Sequence, residues 1–221
     1  SDLGIEMNKT IHMEGCDTGN SMTIKKILKL DFSARNAVKI AMLSTVAFVL
    51  MLISFPLAAI FPPFLKLDIS DIPALLGGFA LGPMAAVLIE LIKNLLHIFI
   101  RGTMTGGIGE LSNFLVGSFY VVPASIIYII NKTRKNAIKG LIVGIISMTV
   151  IACFSNYFLV IPLYQKFMPL DQIISSSPLP FVNDIKSFLV FAIAPFNLLK
   201  SSIASIVTML IYKKLSPILH K

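Results

Sequence analysis

DIPALLGGFALGPMAAVLIELIKNLLHIFI (71–100) decides the fold of this chain. The stretch is apolar almost throughout and is broken near its middle by Gly82-Pro83, so it is either one kinked helix or two shorter ones joined by a tight turn. A bilayer core of about 30 Å takes about 20 helical residues to cross. Which reading holds sets the side of the membrane on which every later loop lies.

The rest of the chain has the same character. Over 221 residues, 56% are hydrophobic and 14% charged, with a mean hydropathy of +0.85. Soluble domains sit near 45–50% and 25%, so a polytopic helical membrane protein is expected. Its apolar blocks fall at about 37–59, 72–82, 84–100, 110–131, 138–162 and 186–212.

Charge decides between the two readings of 71–100. With six spans and a cytoplasmic N-terminus, the inner side receives Lys9, Lys25, Lys26, Lys29, Arg35, Lys39, Lys132, Arg134, Lys135, Lys139, Lys213, Lys214 and Lys221. The outer side receives only Lys66, Arg101, Lys166 and Lys186. A single span over 71–100 would strand Lys132, Arg134, Lys135 and Lys139 outside, against the positive-inside rule. The expected fold is therefore an all-α bundle of six transmembrane helices with both termini cytoplasmic and membrane lipid around it. The second span is too short to cross alone and should lie against protein.

This distribution also accounts for the net charge of +8, so no nucleic-acid partner is implied. Residues 1–23 form a polar leader without the apolar core of a secretory signal, and are expected to be disordered. Residues 24–36 are a short basic amphipathic stretch, 37–213 the transmembrane domain and 214–221 a basic cytoplasmic tail. The loop at about 60–71 is too apolar to be dissolved in water, and Pro62, Pro63 and Pro73 forbid a regular helix across it.

Two lysines lie inside spans, where a charge costs about 2.5–3.5 kcal/mol on insertion scales and should face protein. Lys93 has Glu90 one helical turn before it, and the two can neutralise each other. Lys200 has no acid in its own span; Asn197 shares its face, which makes the pair a binding-site candidate. An interhelical hydrogen bond from Lys200 to Asn113 or Asn156 is the plainer alternative, since buried amides often only join helices. The outer halves of the spans also carry Phe61, Phe64, Tyr157, Phe158, Tyr164 and Phe196, either lipid-facing or walls for a flat ligand. Ala37, Ala41 and Thr45 form a small-residue stripe suited to close helix contact, within the protein or with a partner.

Several chemistries lack their residues. The sequence has no G-x-x-x-x-G-K-[ST] for nucleotide phosphates, no G-x-S-x-G nucleophile and no zinc-protease spacing. Cys16 and Cys153 are far apart, and His12, His97 and His220 are scattered, so no disulfide framework or metal site is indicated.

FPPFLKLDISDIPALLGGFALGPMAAVLIELIKNLLH (61–97), GELSNFLVG (109–117), SNYFLVIPLY (155–164) and FNLLK (196–200) together resemble the riboflavin-binding S components of energy-coupling-factor (ECF) vitamin transporters. The resemblance runs from about 35 to 213. It implies a subunit in the cell membrane that captures riboflavin outside, works with a T component and two cytosolic ATPases, and performs no chemistry and carries no cofactor itself. It further implies that the 60–71 loop caps a pocket made with the outer halves of spans four to six. Phe64, Leu67, Tyr157 and Tyr164 would cover the flavin ring, and Lys66, Asn113, Asn156, Asn197 and Lys200 would meet its polar edge. Ala37 and Ala41, with Thr45 departing from a pure alanine stripe, would dock the T component. The competing readings are an S component for another vitamin, a self-sufficient carrier using Glu90 and Lys93 as a relay, and an intramembrane enzyme with no evident nucleophile.

Overall fold

The structure, a computed structural model, describes residues 33–103 and 105–219. The leader at 1–23 and residues 24–32 of the basic stretch lie outside the described residues, as does the end of the tail.

Helix α1 spans Ala34–Leu52, and Ser33 caps it by accepting from the Asn36 amide. It ends seven residues before the boundary at 59 expected from hydropathy. The reason is Pro56, which disfavours the helical region for Phe55. The chain instead forms a two-residue strand, β1 (Phe55–Pro56), antiparallel to β2 (Lys66–Leu67).

Gly82 breaks the 71–100 stretch into two helices, α2 (Asp71–Leu81) and α3 (Pro83–Arg101). Its φ of 108° is open to glycine, and Pro83 starts α3 where a missing amide hydrogen costs nothing. At 1.5 Å per residue α2 covers about half a bilayer. Asp71 to Phe79 are buried without interruption, packed among α1, α3 and the helices that follow.

Helix α4 spans Ile108–Ile130, and α5 runs over Arg134–Tyr164 with a π turn at Asn156–Val160. A short α6 (Leu170–Ser175) lies in the connection to the last helix. That last helix, α7, begins at Ile185–Phe188, passes a π turn at Leu189–Ile193 and continues as Ala194–Leu219. Asp184 caps it. The Ser187 hydroxyl, and then the Ser187 amide at 3.0 Å, donate to the Asp184 carboxylate and hold its pKa below the usual range.

Both π turns have the same cause. Each ends two residues before a proline, Pro162 or Pro195, whose ring lacks an amide hydrogen and clashes with the carbonyl four residues back. Widening the turn removes the clash. Among the described residues, α1, α3, α4, α5 and α7 are long and apolar enough to cross a membrane.

Close helix packing completes the bundle. A Cβ on Gly140 would lie 2.6 Å from the Ala124 carbonyl oxygen, and one on Gly144 would lie 2.7 Å from that of Tyr120, so α5 meets α4 through glycines one turn apart. Phe79, Tyr128 and Tyr212 cluster at the end of the bundle away from the N-terminus of α2. Their two hydroxyls are 2.9 Å apart.

Candidate functional site

A cavity of about 310 Å³ opens between the β1–β2 loop, the C-terminal end of α3, the N-terminal half of α4, and the π-turn regions of α5 and α7. Sites for small ligands commonly measure ~300–1,000 Å³. Phe64, Tyr164 and Phe196 supply its aromatic walls. Phe64 stacks obliquely on Tyr164 at 5.8 Å, and Phe196 is buttressed edge-on by Phe61 at 5.4 Å.

The two π turns bring amides to the cavity. Asn156 opens the first, and Asn197 stands four residues after the end of the second. Each side chain donates one hydrogen to the carbonyl four residues back, Ala152 or Ile193, at 2.8 Å. The amide oxygens of both have no partner among the described residues, and both residues line the cavity. Asn113 also lines it and accepts from Asn94 at 3.3 Å.

Below these amides lies a ring of buried charge. Lys200 Nζ donates to Asp68 Oδ2 at 3.0 Å and stands 3.6 Å from Asp71 Oδ2. Asp71 Oδ1 is 2.5 Å from Lys93 Nζ. Lys93 also donates to Ser70 Oγ at 2.9 Å and to Glu90, whose oxygens lie 3.0 and 2.8 Å away. Ser70 Oγ donates back to Asp68 Oδ1 at 2.5 Å, which closes the ring. Asp68 and Lys200 line the cavity; Ser70, Asp71, Glu90 and Lys93 do not. Burying these ions is tolerable only because each faces an opposite charge.

The Glu90–Lys93 pair read from the sequence is present as one side of this ring. Lys200 is not bonded to Asn113 or Asn156: its partners are Asp68 and Asp71, which the sequence reading left without a role. Two acids in an otherwise apolar loop, set against two lysines inside spans, were the available signal. The mouth was missed as well. There His97 Nδ1 lies 3.1 Å from Glu110, whose other oxygen accepts from Thr103 at 3.0 Å. Thr103 in turn accepts from the Gly107 amide, which ties the start of this connection to its end.

Phe64, Lys66, Asn113, Asn156, Tyr164, Asn197 and Lys200 all line the cavity. Leu67 and Tyr157 do not. Leu67 follows Lys66 on β2, and successive strand residues face opposite ways, so it packs with Phe61 and Phe196 behind the wall. Tyr157 follows Asn156 around a helical turn and faces outward, 45% exposed, with its ring edge-on to Phe158. Ala37, Ala41 and Thr45 form an exposed stripe on α1, where Thr45 Oγ1 donates to the Ala41 carbonyl at 2.9 Å. Among the described residues no group of histidine, cysteine or acidic side chains could hold a metal ion.

The family model of the substrate-specific component of ECF transporters matches residues 35–212. The chain is 37% identical over 187 residues to the riboflavin transporter RibU of Staphylococcus aureus (strain TCH60), covering 85% of this chain and 93% of that one. It is 34% identical over 184 residues to the riboflavin transporter FmnP of Bacillus subtilis (strain 168), covering 83% and 93%. A solved S component of a bacterial ECF transporter is similar in structure, with a TM-score of 0.68, 36% sequence identity, and coverage of 85% of this chain and 98% of that chain.

Proposed function

Because the chain belongs to the substrate-specific components of the ECF transporters, we propose that it is the riboflavin-binding subunit of such a transporter and that the cavity over Lys200 is its vitamin site. One observation carries this reading. Asn156, Asn197 and Lys200 converge with unsatisfied polar groups on a cavity walled by Phe64, Tyr164 and Phe196. Riboflavin has that form, a flat apolar ring edged by carbonyls and extended by a hydroxylated chain. The rings cover its faces, and the amides and the ammonium meet groups that would otherwise be buried without partners. Asn113 and Lys66 meet its remaining polar groups.

The bundle sits in the cell membrane as six spans, with α2 the short second one, both termini cytoplasmic and the cavity outside. Burial of α2 from Asp71 to Phe79 supports a short span packed against protein, and the excess of cations on the assigned inner side supports this orientation. The β1–β2 loop caps the site. A T component docks on the exposed Ala37, Ala41 and Thr45 stripe of α1, and two partner ATPases supply the energy for inward delivery.

The test is titration of riboflavin with the detergent-purified protein, followed by its fluorescence and by the visible absorption of the preparation. Saturable quenching near one ligand per chain is expected. Unchanged fluorescence at micromolar protein would overturn the riboflavin assignment.

A further inference from the structure

The two intramembrane lysines differ in what they leave open. An ammonium has three donors, and those of Lys93 are all engaged, by Ser70, Asp71 and Glu90. Lys93 is fully buried and does not reach the cavity. Lys200 reaches it, with Asp68 and Asp71 as its only ion-pair partners among the described residues. Its flexible four-carbon stem does not by itself hold the ammonium in one place.

Asp71 is the one carboxylate within ion-pair distance of both lysines among the described residues, with one oxygen toward each. It stands in the first turn of α2, which is buried from Asp71 to Phe79, and Lys93 fixes it from α3. A second branch, from Lys93 through Ser70 to Asp68, reaches Lys200 from the loop side.

We propose that Asp71 is a positioning residue for ligand recognition: its carboxylate, 3.6 Å from the Lys200 ammonium, helps Asp68 hold that ammonium at the cavity wall with donors free for acceptors on the ligand, and Lys93 anchors it. The inference rests on the reading of the cavity as a flavin site. Asp71 then acts through Lys200, whereas a residue that only stabilises the fold acts whatever stands at position 200.

The experiment is a double-mutant cycle on riboflavin affinity, read by fluorescence quenching with the full chain in detergent. It compares the wild type, Asp71→Asn, Lys200→Met and the double variant. Asparagine keeps the size of Asp71 and leaves the ring with two carboxylates against two lysines. Asp71→Asn is expected to weaken binding about tenfold beside Lys200 and less than about twofold beside methionine. An equal loss in both backgrounds, or no loss in the first, would overturn the proposal. Should Asp71→Asn not fold, Asp71→Glu keeps the charge but moves the carboxylate by one methylene and is read the same way, with a loss confined to the Lys200 background in support and any other result against. Wild-type protein that leaves riboflavin fluorescence unchanged would overturn the flavin reading and this inference together, a result distinct from an additive cycle.

Discussion

Lys200 Nζ lies 3.0 Å from Asp68 Oδ2 across 132 positions of sequence, joining the last helix to the loop after the first. Removing one member of a buried ion pair leaves the other uncompensated, at a cost of about 3–5 kcal/mol when burial is complete. Here burial is not complete, because both side chains line the cavity. Lys200→Met is expected to lower stability by about 3 kcal/mol or less, and Lys200→Met with Asp68→Asn by clearly less. Thermal unfolding in detergent separates the two, and a double variant no more stable than the single would refute the pairing.

The amides at the π turns are expected to matter to the ligand more than to the fold. Asn156→Ala and Asn197→Ala each remove a polar partner at the cavity and should cost about 1–3 kcal/mol of binding, roughly tenfold to a hundredfold in affinity. Tyr157→Ala, on the outward face, should change affinity less than about twofold. Riboflavin titrations of the three variants check this ordering.

Glycine content should matter at the α4–α5 contact and little at the loop. Gly140→Val would drive a side chain into the Ala124 carbonyl and is expected to cost upwards of about 3 kcal/mol, seen as loss of folded protein on size exclusion. Gly106→Ala has open space around it and only its positive φ against it, so about 1 kcal/mol is expected.

Orientation can be read by labelling. A cysteine replacing Lys166 should react with an impermeant maleimide in intact cells, and one replacing Lys132 only after permeabilisation, in a Cys16→Ser/Cys153→Ser background. Reversed labelling would overturn the six-span assignment.

A substitution in the α1 stripe is expected to separate binding from transport. Ala41→Leu adds bulk on an exposed face far from the cavity lining and should leave riboflavin affinity unchanged, while uptake and co-purification of the T component are lost. Unimpaired uptake would place the docking face elsewhere.

Hydropathy and loop charge were enough to locate the long helices and the break at Gly82, because both are local properties of the chain. The ring of charge was not legible in the same way. Lys200 finds its partner far away in sequence, and periodicity within one helix carries no information about that. The misplacement of Leu67 and Tyr157 has a local cause: each adjoins a residue that does line the cavity, and one step along a strand or helix turns a side chain away. Seven of the nine contacts implied by the family resemblance line the cavity, and of these only Asn113, Asn156, Asn197 and Lys200 stood out in the sequence as polar groups inside spans.

Phe188 and Lys200 are both directed inward, at 1% and 4% exposure, although they lie on one helix. At about 100° per residue in a regular α-helix, the twelve steps between them would leave them about 120° apart. The π turn at Leu189–Ile193 absorbs one residue and brings them to within about 20°. Pro195 thus sets the phase of the helix. Its two halves keep separate angular clocks, offset by a single residue, and no unbroken α-helix with this spacing could present both the aromatic packing of its first turns and the charged floor of its second half to the same interior.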